Sequence, residues 1–206
     1  MQMHVSDEKA EEALATFREH GGLLRTKEAR ALGIHPRTLY SLRDAGKLEK
    51  LSRGLYRLAD LPPLSNPDLT IVAARSEAAR ICLISALDVH DLTTEVPRAV
   101  HIALPKDRRP PKLDYPPIQV FRMSGDSLTE GIEHHEMGGV KAKIFGPAKT
   151  VADCFKFRNR IGLDVALEAL RFYLERSAGT VGELMHYARI CRVKSVMRPY
   201  IEALTS

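Results

Sequence analysis

The stretch LGIHPRTLYSLRDAGKLEKLSRGLYRL, Leu32 to Leu58, constrains the fold more than any other part of the chain. Pro36 suits the first position of a helix, where its missing N–H has no partner to lose. Gly46 is the natural stop for that helix, and Leu39 and Leu42 supply its buried stripe. Leu48, Leu51, Leu55, Tyr56 and Leu58 then surround the turn Ser52-Arg53-Gly54, which suits a two-stranded hairpin with glycine in a left-handed conformation. A helix this short cannot hold itself together, so other elements must brace it.

The preceding residues supply the braces. Ser6 is placed to cap a helix with Asp7 and Glu8 in its first turn, at the positive end of its dipole. Ala10, Ala13, Leu14 and Phe17 recur at helical spacing, and Gly21-Gly22 ends the run. Leu23-Leu24-Arg25 reads as a short extended piece. Thr26 is expected to cap a second helix over KEARAL, which Gly33 stops.

The resulting order is helix, strand, helix, turn, helix and hairpin, that of a winged helix-turn-helix module. The helix from Pro36 would present its N-terminal end to the major groove, with Arg37, Thr38, Tyr40, Ser41 and Arg43 on its outer face. Arginine forks onto a guanine edge, and hydroxyls meet phosphate or base. Arg53 at the hairpin tip and Arg57 on its flank are placed to reach a phosphate or the minor groove. Arg25, Thr26 and Lys27 sit at a helix N-terminus, which attracts phosphate. The bland alternative is a helix and hairpin with solvated arginines. The glycine and proline punctuation, combined with basic residues on the exposed faces, favours DNA binding.

The prolines of DLPPLSNPD mark a boundary, giving a first domain over residues 1–61 and a second over 66–206. The second reads as mixed α/β. A helix starts at Asn66-Pro67 and another runs through CLISALDVH. Two strands, AVHIALP and IQVFRM, flank a basic proline-rich loop, and a hairpin turns at Gly138-Gly139. Helices then follow from Pro147, over LDVALEALRFYLERS, after the capping box of Thr180 and Glu183, and over VKSVMRPYIEAL with a kink or restart at Pro199. The fold class is therefore α+β: a winged helix followed by a mixed domain with a small sheet and a helical C-terminus.

Net charge is +5 over 206 residues, a balance that favours polyanionic partners. Basic residues gather at Lys106, Arg108, Arg109 and Lys112; at Lys141, Lys143 and Lys149, continuing to Lys156, Arg158 and Arg160; and at Arg189, Arg192, Lys194 and Arg198. Tryptophan is absent, so stacking on single-stranded bases is not a theme. Cys82, Cys154 and Cys191 are scattered through apolar surroundings without metal-ligand spacing, which fits a reducing compartment and no zinc site. The N-terminal segment is acidic and helical rather than signal-like, so the expected location is the cytoplasm, with no membrane partner.

Enzymatic readings fare worse. Ser85, Asp88 and His90 lack a glycine elbow, and Ser85 and His90 read as groups that satisfy buried backbone. Asp114, Glu136, Lys141 and Lys143 are the residue types of a magnesium-dependent nuclease, but Glu136 sits beside a turn where acids are common. His134 and His135 are strand neighbours that point to opposite faces. Lys149 and Asp153, four apart, suit an intrahelical ion pair. No catalytic residue, metal or cofactor is expected.

The chain also resembles the AbiEi-type antitoxins, transcriptional regulators of type IV (abortive infection) toxin–antitoxin systems. The resemblance runs from about Gly21 to Leu204. It is carried by GIHPRTLYSLRDAGKLEKLSRGLYRL, SALDVHDLT, HIALP, PAKTVADCFKFRNRIGLDVALEAL and ARICRVKSVMRPYIEAL. It implies a winged helix that binds inverted repeats in double-stranded DNA at its own promoter. It also implies a C-terminal domain that opposes a nucleotidyltransferase-like toxin, direct contact not being required. The antitoxin surface is assigned to Lys149, Lys156, Arg158 and Arg160. A nuclease targeted by the winged helix and a general transcription regulator without a toxin are the alternatives.

Overall fold

The computed structural model describes residues 7–205, so the expected Ser6 cap lies outside the described residues. Among them the chain is α+β and forms two compact units. The first comprises residues up to 76 together with 111–116 and 136–142, and the second takes the remainder. The boundary expected at residues 61–66 thus falls inside the first unit.

The first unit runs α1 (Asp7–Glu19), β1 (Leu23–Arg25), α2 (Thr26–Ala31), α3 (Pro36–Asp44), β2 (Leu48–Ser52), β3 (Leu55–Leu58) and α4 (Pro67–Arg75). Its sheet has the antiparallel order β1-β3-β2. This is the winged helix-turn-helix order. Phe17, Leu39, Leu42, Leu48 and Tyr56 fill the core between the three helices and one sheet face. Burying each such side chain contributes roughly 1.5–3 kcal/mol.

Each of the first three helices closes in the same way. Lys47 N–H returns to Leu42 O at 2.9 Å while Gly46 N–H reaches Arg43 O at 2.9 Å. The same pair recurs as Ile34 to Ala29 and Gly33 to Arg30, and as Gly22 to Phe17 and Gly21 to Arg18. The residue after the cap is left-handed in every case, with Gly21, Gly33 and Gly46 at φ 75°, 87° and 69°.

The other sheet face is covered too. Leu23, Leu55 and Ile71 form a second cluster, joined by Leu51, Leu113 and Val140. α4 and the segments 111–116 and 136–142 therefore belong with the winged helix because they roof the outer face of its sheet.

The second unit contains β4 (Arg80–Ile81), α5 (Leu83–Val89), β5 (Val100–Leu104), β6 (Ile118–Arg122), α6 (Asp126–Thr129), β7 (Ile132–Met137), β8 (Val140–Phe145), α7 (Pro147–Lys156), α8 (Arg158–Ile161), α9 (Leu163–Glu175), α10 (Val181–Ile190) and α11 (Lys194–Thr205). The tip of the β7–β8 hairpin is counted with the first unit. The sheet order is β6-β5-β4-β8-β7, one strand more than the two strands and hairpin read from the sequence, because the short β4 escapes any periodicity. β4 runs antiparallel to β5 and parallel to β8, and β5 pairs in parallel with β6. α7 packs against α5, α9, α10 and α11, and its residues Ala148 to Phe155 are all buried. Pro199 lies within a continuous α11 rather than at a break.

Candidate nucleic-acid interface

α3 is the element whose outer face matters. Pro36 holds its first position, and His35 caps it: the imidazole Nδ1 accepts the Arg37 backbone N–H at 3.1 Å. This cap was not foreseen, because histidine is not among the residues that usually cap a helix. Leu39 and Leu42 turn inward as expected. Arg37, Tyr40 and Ser41 stand on the opposite side at helical spacing, with Arg37 and Tyr40 exposed. No ion pair engages the Arg37 guanidinium among the described residues.

Three expected contacts are altered by the structure. Thr38 is buried at 7% exposure, because it shares the inward face with Leu39 and Leu42. Arg43 is bound to Asp44 through two hydrogen bonds of 2.7 and 2.8 Å and lies over the Tyr40 ring. Its guanidinium therefore has a partner that DNA would have to displace. Arg57 is 4% exposed, pairs with Glu49 at 2.6 Å and donates to Pro62 O. It shares a sheet face with Leu55, and that face is covered, so it is a structural cation rather than a wing contact.

The N-terminus of α2 also differs from expectation. Arg25, not Thr26, is the cap residue. Glu28 accepts the Arg25 backbone N–H and its Nε–H, both at 2.8 Å. Burial pushes the Glu28 carboxyl up, but the Arg25 hydrogen bonds and charge outweigh it and hold the pKa below the usual range. Thr26 instead fastens the hairpin turn: its backbone N–H donates to Gly54 O at 2.9 Å. Gly54 has φ 70°, and a Cβ there would come within 3.3 Å of Thr26 Oγ1. Arg75 Nη1 donates to Arg53 O at 3.1 Å, which holds the turn from α4. Sequence reasoning missed Arg75 because it lies 22 residues from its partner. Lys27 and Arg53 are left exposed.

In the second unit the expected antitoxin residues separate. Lys149 is 0% exposed and cannot be a surface residue. It pairs with Asp153, also 0% exposed, four residues on, and lies 4.0 Å from the Phe145 ring. Burial raises the Asp153 pKa against the opposing pull of Lys149, while the Cys191 thiol donates to its other oxygen at 3.1 Å. Lys149 is buried because α7 is enclosed by other helices, which its own periodicity does not reveal. Arg160 is exposed over the Phe121 ring at 4.2 Å, Lys156 reaches Ser127 Oγ at 3.3 Å, and Arg158 donates to Phe155 O at 2.7 Å.

Three of the residues weighed for catalysis have structural partners. Ser85 Oγ accepts the His101 N–H at 2.9 Å, and His90 Nε2 bonds with Phe145 O at 2.8 Å. Lys143 donates to Glu77 O at 3.1 Å. Among the described residues no three His, Cys, Asp or Glu side chains converge in a metal-binding group. No described helix is long and apolar enough to cross a membrane.

Comparison with known proteins agrees with this geometry. Against solved structures, the chain is similar to the RV2827C protein of Mycobacterium tuberculosis, with a TM-score of 0.51 and 13% identity over 91% of this chain and 83% of that one. At that identity the likeness bears on the fold alone. No curated protein matches the sequence significantly. Residues 11–59 match the model of the AbiEi antitoxin transcriptional regulators. That segment spans α1 to the end of the hairpin and contains the His35 cap, the outward face of α3 and the clasped turn at Gly54. Over this module, about a quarter of the chain, the sequence is similar to the AbiEi antitoxin transcriptional regulators.

Proposed function

We propose that the chain binds inverted repeats at its own promoter through α3 and the β2–β3 hairpin, represses its own transcription and opposes a nucleotidyltransferase-like toxin. The observation that carries this reading is the outward face of α3: Arg37, exposed and without an ion-pair partner, beside Tyr40 and Ser41. Lys27 and Arg53 supply phosphate contacts on either side of the clasped turn, and Arg43 joins them by exchanging Asp44 for DNA. The second unit carries the antitoxin activity, with Lys156, Arg158 and Arg160 as its surface.

A gel-shift titration with the DNA upstream of the reading frame tests the first part. Arg37→Ala should cost about 1–3 kcal/mol of binding if the guanidinium reads a base edge. Thr38→Val should leave affinity unchanged, since Thr38 faces the core. Unchanged binding by Arg37→Ala would remove α3 as the reader. Co-expression with a neighbouring nucleotidyltransferase-like toxin tests the second part: growth should be rescued by the wild type, and less well by a Lys156/Arg158/Arg160 triple alanine variant.

A further inference from the structure

The first unit contains cations that the winged helix alone does not account for. Arg75, at the end of α4, donates from Nη1 to Arg53 O at 3.1 Å and from Nη2 to Lys112 O at 3.4 Å. One guanidinium therefore holds the wing turn and the 111–116 segment side by side through their main chains. The segment is pinned beyond that point as well. Leu113 packs into the cluster of Leu23, Leu55 and Ile71, and Tyr115 Oη donates to Asp68 at 3.1 Å.

Charge compensation is absent in this group, as it is at Arg37, but here the main chains are tied together. Arg25, Arg43 and Arg57 each have a carboxylate partner, in Glu28, Asp44 and Glu49. Arg53, Arg75 and Lys112 have none among the described residues. Arg75 spends its donors on neutral carbonyls and so keeps its charge, while the Arg53 and Lys112 side chains are exposed. Three uncompensated cations whose main chains are tied side by side make a surface suited to the regularly spaced charges of a phosphate backbone.

We propose that Arg53, Arg75 and Lys112 form a phosphate-contacting edge that carries the DNA surface of the first unit beyond the winged helix, with Lys112 acting as a second wing. This rests on the DNA-binding reading above. The edge positions the protein on duplex DNA without reading sequence, because it offers charge and no fork aimed at a base.

Salt dependence of binding to a mixed-sequence duplex of about 30 base pairs tests the edge, since each lost phosphate contact lowers the log–log salt slope by roughly 0.9. The full-length Lys112→Gln variant should lose about one contact's slope and weaken binding alike on mixed-sequence and promoter DNA, while Lys112→Arg should retain both. Arg75→Gln should lose slope as well. Arg75→Lys, which keeps the charge, guards against a merely loosened wing and should recover most of it. If the wild type and Arg37→Ala differ in affinity but Lys112→Gln and Arg75→Gln keep the wild-type slope, the edge is overturned and the winged-helix reading stands. If the wild type binds no duplex at all, both fall together.

Discussion

Three helices in each unit, α1 to α3 and α5, α9 and α10, end with the same hydrogen-bond closure but fill its left-handed position differently. In the first unit the residue is Gly21, Gly33 or Gly46. In the second, Asp91, Ser177 and Arg192 occupy it at φ 55°, 51° and 60°. The closures are otherwise alike: Leu92 N–H returns to Leu87 O at 2.8 Å, Ala178 to Tyr173 at 3.1 Å, and Val193 to Ala188 at 2.8 Å. A residue with a Cβ in that conformation costs about 1–2 kcal/mol. The second unit tolerates this because α5, α9 and α10 are held by tertiary contacts with α7. The first unit is punctuated locally, by glycine.

Ion pairs of α2 and α3, such as Arg25–Glu28 and Arg43–Asp44, are at least partly open to solvent, whereas Lys149 and Asp153 are fully enclosed. The largest effect on stability should come from breaking the enclosed pair. Lys149→Met leaves a buried carboxylate unpaired and should cost about 3–5 kcal/mol in urea unfolding. A Lys149→Met/Asp153→Leu double variant should recover most of that loss. Equal losses in the two variants would mean that packing volume, not charge pairing, governs α7.

A pH effect of nearly that size should arise in the second unit. The His101 imidazole is 5% exposed, and burial, with the Arg160 charge adding to it, brings its pKa down from 6.5 to about 4 against the opposing effect of a hydrogen bond to Gln119. The unfolded chain takes up that proton near pH 6.5 and the folded chain only near 4. Stability is therefore full above pH 6.5 and declines as pH falls toward 4, by about 3 kcal/mol. Denaturant titrations at pH 7 and pH 5 should show the decline, and His101→Phe should flatten it.

Substitutions at the helix closures should have smaller effects of opposite sign. Nothing lies within 4 Å of a Cβ placed at Gly33 or Gly46, so alanine there meets only the cost of the left-handed backbone. Each should lower thermal stability by about 1–2 kcal/mol. Ser177→Gly should do the reverse and raise it by about 0.5–1 kcal/mol. If Ser177→Gly were destabilising, the hydroxyl at that position would have a role beyond closing the helix.

This contrast explains how much could be read from the residues in order. The winged helix was legible because its stops are glycines, its start at α3 is a proline and the buried residues of its helices recur at helical spacing. The Gly138-Gly139 turn and the Thr180–Glu183 capping box were legible for the same reason. The helix ends at Asp91 and Arg192 carry no such mark, and β4, with two residues, has no period to detect. At the site, Arg37 and Tyr40 followed from helical spacing. Thr38 did not, because spacing does not say where the edge of a buried stripe falls.

By itself, the sequence determined the order of elements in the winged helix, the closures of its helices and the face of α3 that carries Arg37, Tyr40 and Ser41. These are short-range consequences of backbone freedom and side-chain periodicity. Only the tertiary structure decided that Arg57 is structural, that Lys149 lies in the core, and that Arg75 joins the wing turn to Lys112. Each of these depends on segments distant in the chain: α4 and its neighbours over the sheet, helices around α7, and a loop 37 residues beyond Arg75. Whether a cation faces solvent, an acid or DNA depends on what those segments cover, and local pattern holds no record of that.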